Sequence, residues 1–191
     1  MDPRTELRRQ LRALSELALA VGQECASDLE VVVTLVRDTL ARGGRLFFCG
    51  NGGSAAGAQH LAAEYVVRFR RSRKALPAMA LTTDTSVLTA GANDFGFETV
   101  FARQVEALGR EGDLLLLHST SGNSENLLRA AEAARARGMG TVAFLARDGG
   151  RLREMVDRAL VVPTDDTARA QELHLALGHV VCDLVEEVAG G

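Results

Sequence analysis

The chain has 191 residues, a length that favours one domain with room for a substantial buried core. Hydrophobic residues make up 47% of the chain, which excludes a disordered protein, and the net charge of −3 with interspersed signs carries no nucleic-acid or membrane signature. The three cysteines form no CxxC pair, the N-terminus lacks the apolar core of a signal peptide, and no run of about 18 apolar residues is present. We therefore expect a reduced protein of the cytoplasm.

Apolar residues at helical spacing predict two helices before the first strand. The first helix covers residues 5–23. The second begins at Ser27-Asp-Leu-Glu30, which resembles a capping box, and ends at Gly43-Gly44. Two such helices exceed what a small sheet requires, so we expect them to cover the sheet or to pack on another subunit.

Short apolar runs predict five strands after residue 44, at 46–49, 78–81, 114–117, 141–145 and 159–162. Helical stretches separate the strands. One of them starts near residue 82 and is broken at 91–96, and the last covers 166–188. This alternation predicts an α/β fold, a three-layer αβα sandwich with a central, mostly parallel five-stranded sheet. We expect one domain, residues 1–191, with N-terminal helices in 1–44 and the αβα core in 45–191.

Two loops rich in glycine and serine stand between a strand and a helix, Gly50-Asn-Gly-Gly-Ser54 and Ser119-Thr-Ser-Gly-Asn-Ser124. Free N–H groups and the positive dipole end at such helix starts bind anions. The first loop lacks the lysine of a nucleotide triphosphate loop and the acidic partner of a dinucleotide fingerprint. Four hydroxyls in the second loop exceed what one helix cap uses, so we expect this loop to bind a phosphate monoester.

Few side chains are suited to proton transfer or metal binding. His60 and Glu64, four residues apart, share one face of the helix after the first loop. On the last helix Gln171 and His179 fall about 80° apart and can face one cavity, whereas we expect His174 to face elsewhere. Because eight residues span about 12 Å of helix, sharing one metal ion requires both side chains to reach toward it, or different subunits to contribute.

A basic stretch follows at residues 68–74, Arg-Phe-Arg-Arg-Ser-Arg-Lys. It is open to two interpretations, a solvated connector or a contact to an anionic substrate.

With both loops and both helices in place, the chain resembles the sugar isomerase (SIS) domain family, and within it the phosphoheptose isomerases. The matching motifs cover about residues 45–185 in the family's order and spacing. They are Cys-Gly-Asn-Gly-Gly-Ser (49–54), Ala-Gln-His-Leu-Ala-Ala-Glu (58–64), Leu-Thr-Thr-Asp-Thr-Ser (81–86), Asn-Asp-Phe-Gly-Phe (93–97), Ser-Thr-Ser-Gly-Asn-Ser (119–124) and Thr-Ala-Arg-Ala-Gln-Glu-Leu-His (167–174), with His179 beyond them.

The resemblance implies a flavodoxin-like αβα fold and an aldose–ketose isomerase that converts sedoheptulose 7-phosphate to D-glycero-D-manno-heptose 7-phosphate or an epimer. It also implies a homotetramer with active sites at subunit interfaces and one Zn²⁺ ion per subunit. The implied acid/base pair is Glu64 and His179. The implied zinc ligands are His60, Glu64, Gln171 and His179. The implied contacts to the sugar phosphate are Asn51, Gly52, Gly53, Ser54, Glu64, Asn93, Asp94, Ser119, Thr120, Ser121, Ser124 and Gln171.

Three positions depart from the family pattern. Gly57 stands where the family usually has Asp, His118 replaces a small residue beside the second loop, and Leu145-Ala146-Arg147 replaces Thr-Gly before Asp-Gly-Gly. None of these departures removes an implied ligand or catalyst.

Other functions within the fold stay open from the sequence. They are a non-catalytic relative that binds the replication initiator protein, a sugar-phosphate sensor domain of a transcription regulator, and an isomerase or etherase acting on another sugar phosphate. The presence of both Glu64 and His179 favours an enzyme, and the lack of a DNA-binding extension counts against the sensor.

Overall fold

Five parallel strands form the central sheet of the computed structural model, which describes residues 2–189. The predicted domain of residues 1–191 also includes residues 1, 190 and 191, which lie outside this range. The strands are β1 (Leu46–Gly50), β2 (Ala78–Ala80), β3 (Leu114–Ser119), β4 (Gly140–Ala146) and β5 (Arg158–Val162). The helices are α1 (Pro3–Glu24), α2 (Ala26–Ala41), α3 (Gly53–Val66), α4 (Thr85–Phe95), α5 (Val100–Leu108), α6 (Glu125–Ala136), α7 (Leu152–Met155) and α8 (Thr167–Ala189), with a 3₁₀ turn at Phe97–Thr99.

Two hydrophobic cores lie on the two faces of the sheet. Side chains alternate along β1, so Leu46 and Phe48 enter the core beneath α2, α3 and α8, whereas Phe47 and Cys49 enter the core beneath α5 and α6. All five residues of β1 are buried, as expected for a parallel strand covered on both sides. The predicted αβα sandwich with a five-stranded parallel sheet is therefore confirmed.

The strand order β2-β1-β3-β4-β5 creates one topological switch point. From β1 the chain leaves to β2 at one edge and then returns to β3 on the other side of β1. Gly50 at the end of β1 lies beside His118 near the end of β3. The two glycine- and serine-rich loops that follow these strands therefore meet at the crevice where ligands bind in open α/β sheets.

Two predicted helix boundaries are wrong. The helix predicted to start at the Ser27 capping box begins at Ala26 after Cys25, and no side chain caps it. The helix predicted to break at Gly91 continues through that residue to Phe95. It ends at Gly96, whose φ of +88° is left-handed and thus suited to glycine, whereas glycine inside a helix lowers stability without ending it.

Helix α1 packs on the rest of the chain over only part of its length. Leu14 and Leu17 lie against the core beneath α2, α3 and α8, but Leu7 and Leu11 are 59% and 56% exposed. Leu7, Leu11 and Leu14 have the spacing of one helix face. The apolar stripe therefore continues beyond the part of α1 that the core covers.

Within residues 2–189, none of the helices combines the length and the apolar character that crossing a membrane would require.

Candidate active site

At the two loops of the switch point, neither helix start carries a side-chain cap. Helix α3 follows Gly52, whose φ is +55°, and no side chain caps it. Helix α6 follows Ser124, whose hydroxyl makes no capping hydrogen bond. The Ser124 hydroxyl therefore does not cap α6, and it stays available to a ligand.

Asn51 in the first loop is tied to Asn126 in the first turn of α6. The two carboxamides exchange hydrogen bonds of 2.9 Å, each donating to the other's Oδ1. The loops after β1 and β3 are therefore fixed relative to each other, which a ligand that touches both loops requires.

Internal hydrogen bonds shape the second loop. Ser119 Oγ accepts the N–H of Gly122 at 3.0 Å, and Ser121 Oγ accepts the N–H of Asn123 at 3.2 Å. Gly122 has a φ of +65° and packs on the backbone of Gly149 so closely that a Cβ atom would overlap it. The Asp148-Gly-Gly turn thus packs against the second loop and supports its conformation.

His60, Glu64 and His179 form one cluster on the adjacent helices α3 and α8. His60 Nε2 lies 2.9 Å from His179 Nε2 and 3.2 Å from Glu64 Oε1. The helices approach closely because the side chain of Leu61 packs directly on Gly178, where a Cβ atom would overlap it. One donor atom from each of the three residues lies within 4.8 Å of the others.

The cluster is suited to a divalent metal ion. Burial lowers the pKa of His179 and the neighbouring His60 lowers it further, while Glu64 opposes both. At pH 7 His179 is thus neutral and has a lone pair for bonding. Two imidazole nitrogens and a carboxylate that converge in this way match the ligand preference of zinc.

A strap formed by residues 68–74 covers His179. The Phe69 ring stacks on the His179 ring, with centroids 5.2 Å apart and planes 20° apart. The buried Glu186 of α8 accepts the N–H groups of Phe69, Arg70 and Arg71 at 2.8, 2.8 and 2.9 Å. Five of the seven side chains in residues 68–74 are exposed, which agrees with a solvated connector, although α8 binds the middle of the stretch. The contact to an anionic substrate stays a prediction.

Arg73 joins the strap to the end of α3. Its Nε lies 3.0 Å from Glu186 Oε1, and both side chains are only 1% exposed. Its guanidinium also donates to the carbonyl oxygens of Glu64 and Tyr65, each at 2.7 Å. The buried Arg73–Glu186 ion pair thus holds two groups. Arg73 binds the backbone of Glu64, and Glu186 binds the backbone of Phe69, whose ring lies over His179.

The remaining predicted residues lie in different places. The Gln171 carboxamide rests on Gly53, where a Cβ atom would overlap it, so Gln171 lies beside the first loop. Contrary to the expectation that His174 faces away from Gln171, both residues line one small cavity, and His174 Nε2 donates to Leu145 O at 2.8 Å. Asn93 and Asp94 are exposed on the last turn of α4 and hydrogen-bond each other.

Three residues of this region were not anticipated from the sequence: Asn126, Phe69 and Glu186. A polar residue at a core-facing position of a predicted helix is a usable signal for Asn126, which is 3% exposed. Glu186 stands beside the exposed Glu187, and no local pattern distinguishes the two.

Comparison with known proteins shows the family to which the chain belongs. The family profile described as SIS domain matches residues 11–146. The phosphoheptose isomerase of Akkermansia muciniphila is 50% identical over 186 residues, which cover 97% of this chain and 98% of that protein.

Solved phosphoheptose isomerase structures superpose over nearly the whole chain. That from Neisseria gonorrhoeae has a TM-score of 0.91 and 41% identity, covering 97% of this chain and 99% of its own. That from Francisella tularensis has a TM-score of 0.94 and 34% identity, covering 98% and 100%. The chain belongs to the SIS domain family and, within it, to the phosphoheptose isomerases.

Proposed function

We propose that this enzyme interconverts sedoheptulose 7-phosphate and D-glycero-D-manno-heptose 7-phosphate, or an epimer of that aldose. The observation that carries the proposal is the His60–Glu64–His179 cluster, which α8 forms with α3, the helix that starts at the first loop. An anion-binding crevice and a carboxylate–imidazole pair on one helix suit an isomerase of sugar phosphates. The names of the similar proteins from Akkermansia muciniphila and Neisseria gonorrhoeae support the same reaction class.

In the proposed mechanism Glu64 acts as the base. Its carboxylate takes the proton from C1 of the ketose, and the enediol forms as the C1–H electron pair moves into the C1–C2 bond. The same proton then returns at C2. His179 moves a proton between O1 and O2, so that the hydroxyl ends on C2 and the carbonyl on C1. Glu64 is only partly buried, with 20% of its side chain exposed, so substrate can reach it.

We assign the sugar phosphate to the two loops. The phosphate would bind the second loop and the sugar would lie along the first, with Asn93, Asp94 and Gln171 as further contacts. Binding energy from the phosphate, far from the reacting carbons, would hold C1 and C2 in place. The residues assigned to the phosphate are Ser119, Thr120, Ser121 and Ser124, and those assigned to the sugar by the first loop are Asn51, Gly52, Gly53 and Ser54.

We propose one Zn²⁺ ion per subunit, with His60, Glu64 and His179 as ligands and the Gln171 oxygen as the fourth. When bound, the ion would polarise the substrate oxygens and stabilise the negative charge that develops on them. Metal analysis of protein purified without chelators tests this assignment. We expect about one zinc per chain, and a loss of zinc in His60→Ala.

We propose a cytoplasmic homotetramer of single-domain subunits in which neighbours complete the active site. The His60 side chain is 46% exposed, and Val66, Val67 and Val180 on the same pair of helices are exposed apolar residues. Together with Leu7 and Leu11 on α1 they form apolar surface that a second copy would bury.

Leu11→Glu tests the assembly, with Ala13→Glu as the control. Both positions are exposed, but Ala13 lies about 200° around α1 from Leu11. Light scattering on a sizing column should show a smaller assembly for Leu11→Glu alone, because a carboxylate would be buried in the interface. A tetramer retained in Leu11→Glu contradicts the role of α1.

Incubation of the purified protein with sedoheptulose 7-phosphate, followed by NMR of the aldose signals, is the deciding experiment for the reaction. We expect equilibration with a heptose 7-phosphate. Absence of turnover both with and without added zinc would refute the proposal. Turnover of a different sugar phosphate alone would keep the reaction type but change the substrate.

A further inference from the structure

A small cavity lies behind the first loop, between α3, α8 and the end of β3. His118, His174, Gln171 and Ser54 are among the residues that line it. Its volume is about 10 Å³. A space of this size holds about one water molecule, and a water is stable there only with two to four polar partners.

Two buried nitrogen atoms on side chains that line the cavity have no hydrogen-bond partner within residues 2–189. They are His118 Nε2 and His174 Nδ1, and each imidazole is only 2% exposed. Buried polar atoms without a partner cost about 1–3 kcal/mol each, so they are rare in native proteins. Two of them around one cavity therefore indicate a shared polar ligand.

The hydrogen-bonding role of His174 is fixed by its neighbour. Its Nε2 lies 2.8 Å from Leu145 O, and a carbonyl oxygen only accepts, so Nε2 carries the proton. Burial lowers the pKa of His174 to about 4, so the ring is neutral at pH 7. The partner of His174 Nδ1 must therefore be a donor, such as a water O–H.

His118 lies within reach of the same ligand. Its ring stacks on Phe144, with centroids 4.7 Å apart and planes 10° apart, which fixes its orientation. Its centroid lies 6.2 Å from that of His174, and no direct hydrogen bond joins the two rings' unpaired nitrogens. Because both residues line the cavity, one water molecule there can hydrogen-bond both rings.

We propose that an ordered water molecule occupies this cavity, bridges His118 Nε2 and His174 Nδ1, and hydrogen-bonds the Gln171 carboxamide, so that His118 is a positioning residue for Gln171. Gly53 contacts one side of that carboxamide, and the water would hydrogen-bond it from the cavity. The functional part rests on the proposed function, in which Gln171 contacts the substrate and the metal ion.

The water itself is tested by a high-resolution crystal structure of the wild-type protein. Density within hydrogen-bond distance of both unpaired nitrogens and of Gln171 is expected. A cavity without such density would overturn the proposal, whether or not the enzyme turns over the heptose. This measurement thus separates failure of the inference from failure of the proposed function.

The positioning role is tested with His118→Leu, which removes the polar ring at similar size, and His118→Gln, which restores a polar atom. We expect His118→Leu to lower kcat/KM and to weaken zinc binding by about 10-fold, as losses of outer-shell partners do. His118→Gln should recover most of both. Gly22→Ala on α1 is the control, because Gly22 is not among the residues that line the cavity and a Cβ atom there meets nothing within 4 Å.

A double-mutant cycle separates positioning from general stability. If His118 acts through Gln171, His118→Leu should have little further effect on kcat/KM or on zinc affinity in a Gln171→Ala background. Full additivity of the two substitutions would overturn the positioning role. Zinc affinity is measured by competition with a chelator, so this arm does not depend on turnover.

Discussion

Glu64 is the residue whose placement decides the proposed chemistry. Its carboxylate lies 3.2 Å from His60 Nε2, while its backbone carbonyl accepts a hydrogen bond from Arg73 at 2.7 Å. The side chain is thus directed by the cluster and the backbone by the strap. A base held at both ends keeps its geometry during proton transfer, on which general-base catalysis depends.

Replacement of Glu64 by Gln should lower kcat by about 10³-fold, because the amide keeps the shape of the side chain but cannot accept a proton from carbon. The assay is NMR of the heptose signals, with circular dichroism to show an unchanged fold. Glu132→Gln is the control, an exposed glutamate on α6 whose loss should leave kcat unchanged. Activity near the wild-type level in Glu64→Gln contradicts the role of the base.

The site residues differ in how well they can be predicted from the sequence. His60 and Glu64 could be predicted because their spacing puts both on one helix face, and that relation is local. The carboxamide exchange between Asn51 and Asn126 could not, since it joins residues 75 apart and depends on which strands are neighbours. The position of Gln171 beside Gly53 could not be predicted either, because it depends on how α3 aligns with α8.

The strap of residues 68–74 shows how one buried charge organises an element without regular structure. Burial raises the pKa of Glu186, but three backbone N–H donors and Arg73 outweigh it, so its pKa lies below the ordinary value. The carboxylate therefore stays charged at neutral pH. The exposed cations of the strap agree with a solvated segment, but its link to Glu186, more than 110 residues away, could not be predicted from local sequence.

Glu186→Gln should lower the free energy of unfolding by about 3 kcal/mol, because it leaves the buried Arg73 without its counter-charge. Urea denaturation measures this change. The neighbouring Glu187→Gln is the matched control. Glu187 is exposed and pairs with Arg71 at the surface, so its loss should cost less than about 1 kcal/mol. Equal effects of the two substitutions would show that the buried ion pair does not stabilise the strap.

At the scale of the whole molecule, the alternation of strands and helices was enough to predict a parallel αβα sandwich. The strand order was not predictable from periodicity, because any order of five buried strands gives the same pattern of apolar runs. That order places β1 beside β3 and so brings the two loops together. The site thus depends on a global property that local patterns do not contain.

The buried imidazoles of His118 and His174 predict how the stability of the molecule depends on pH. Burial lowers their pKa values from 6.5 to about 3 and about 4. Below pH 6.5 the unfolded chain therefore binds protons that the folded chain does not, so stability rises with pH and is lost as pH falls from 6.5 toward 4.

Between pH 7.5 and 5.5 each of the two histidines should remove about 1.4 kcal/mol from the free energy of unfolding, about 3 kcal/mol together. Urea denaturation at both pH values and at one protein concentration measures this loss. In His118→Leu the loss contributed by these two histidines should fall by about half, because residue 118 then no longer takes up a proton on unfolding. An unchanged loss in that variant would mean that His118 is protonated in the folded protein as readily as in the unfolded one.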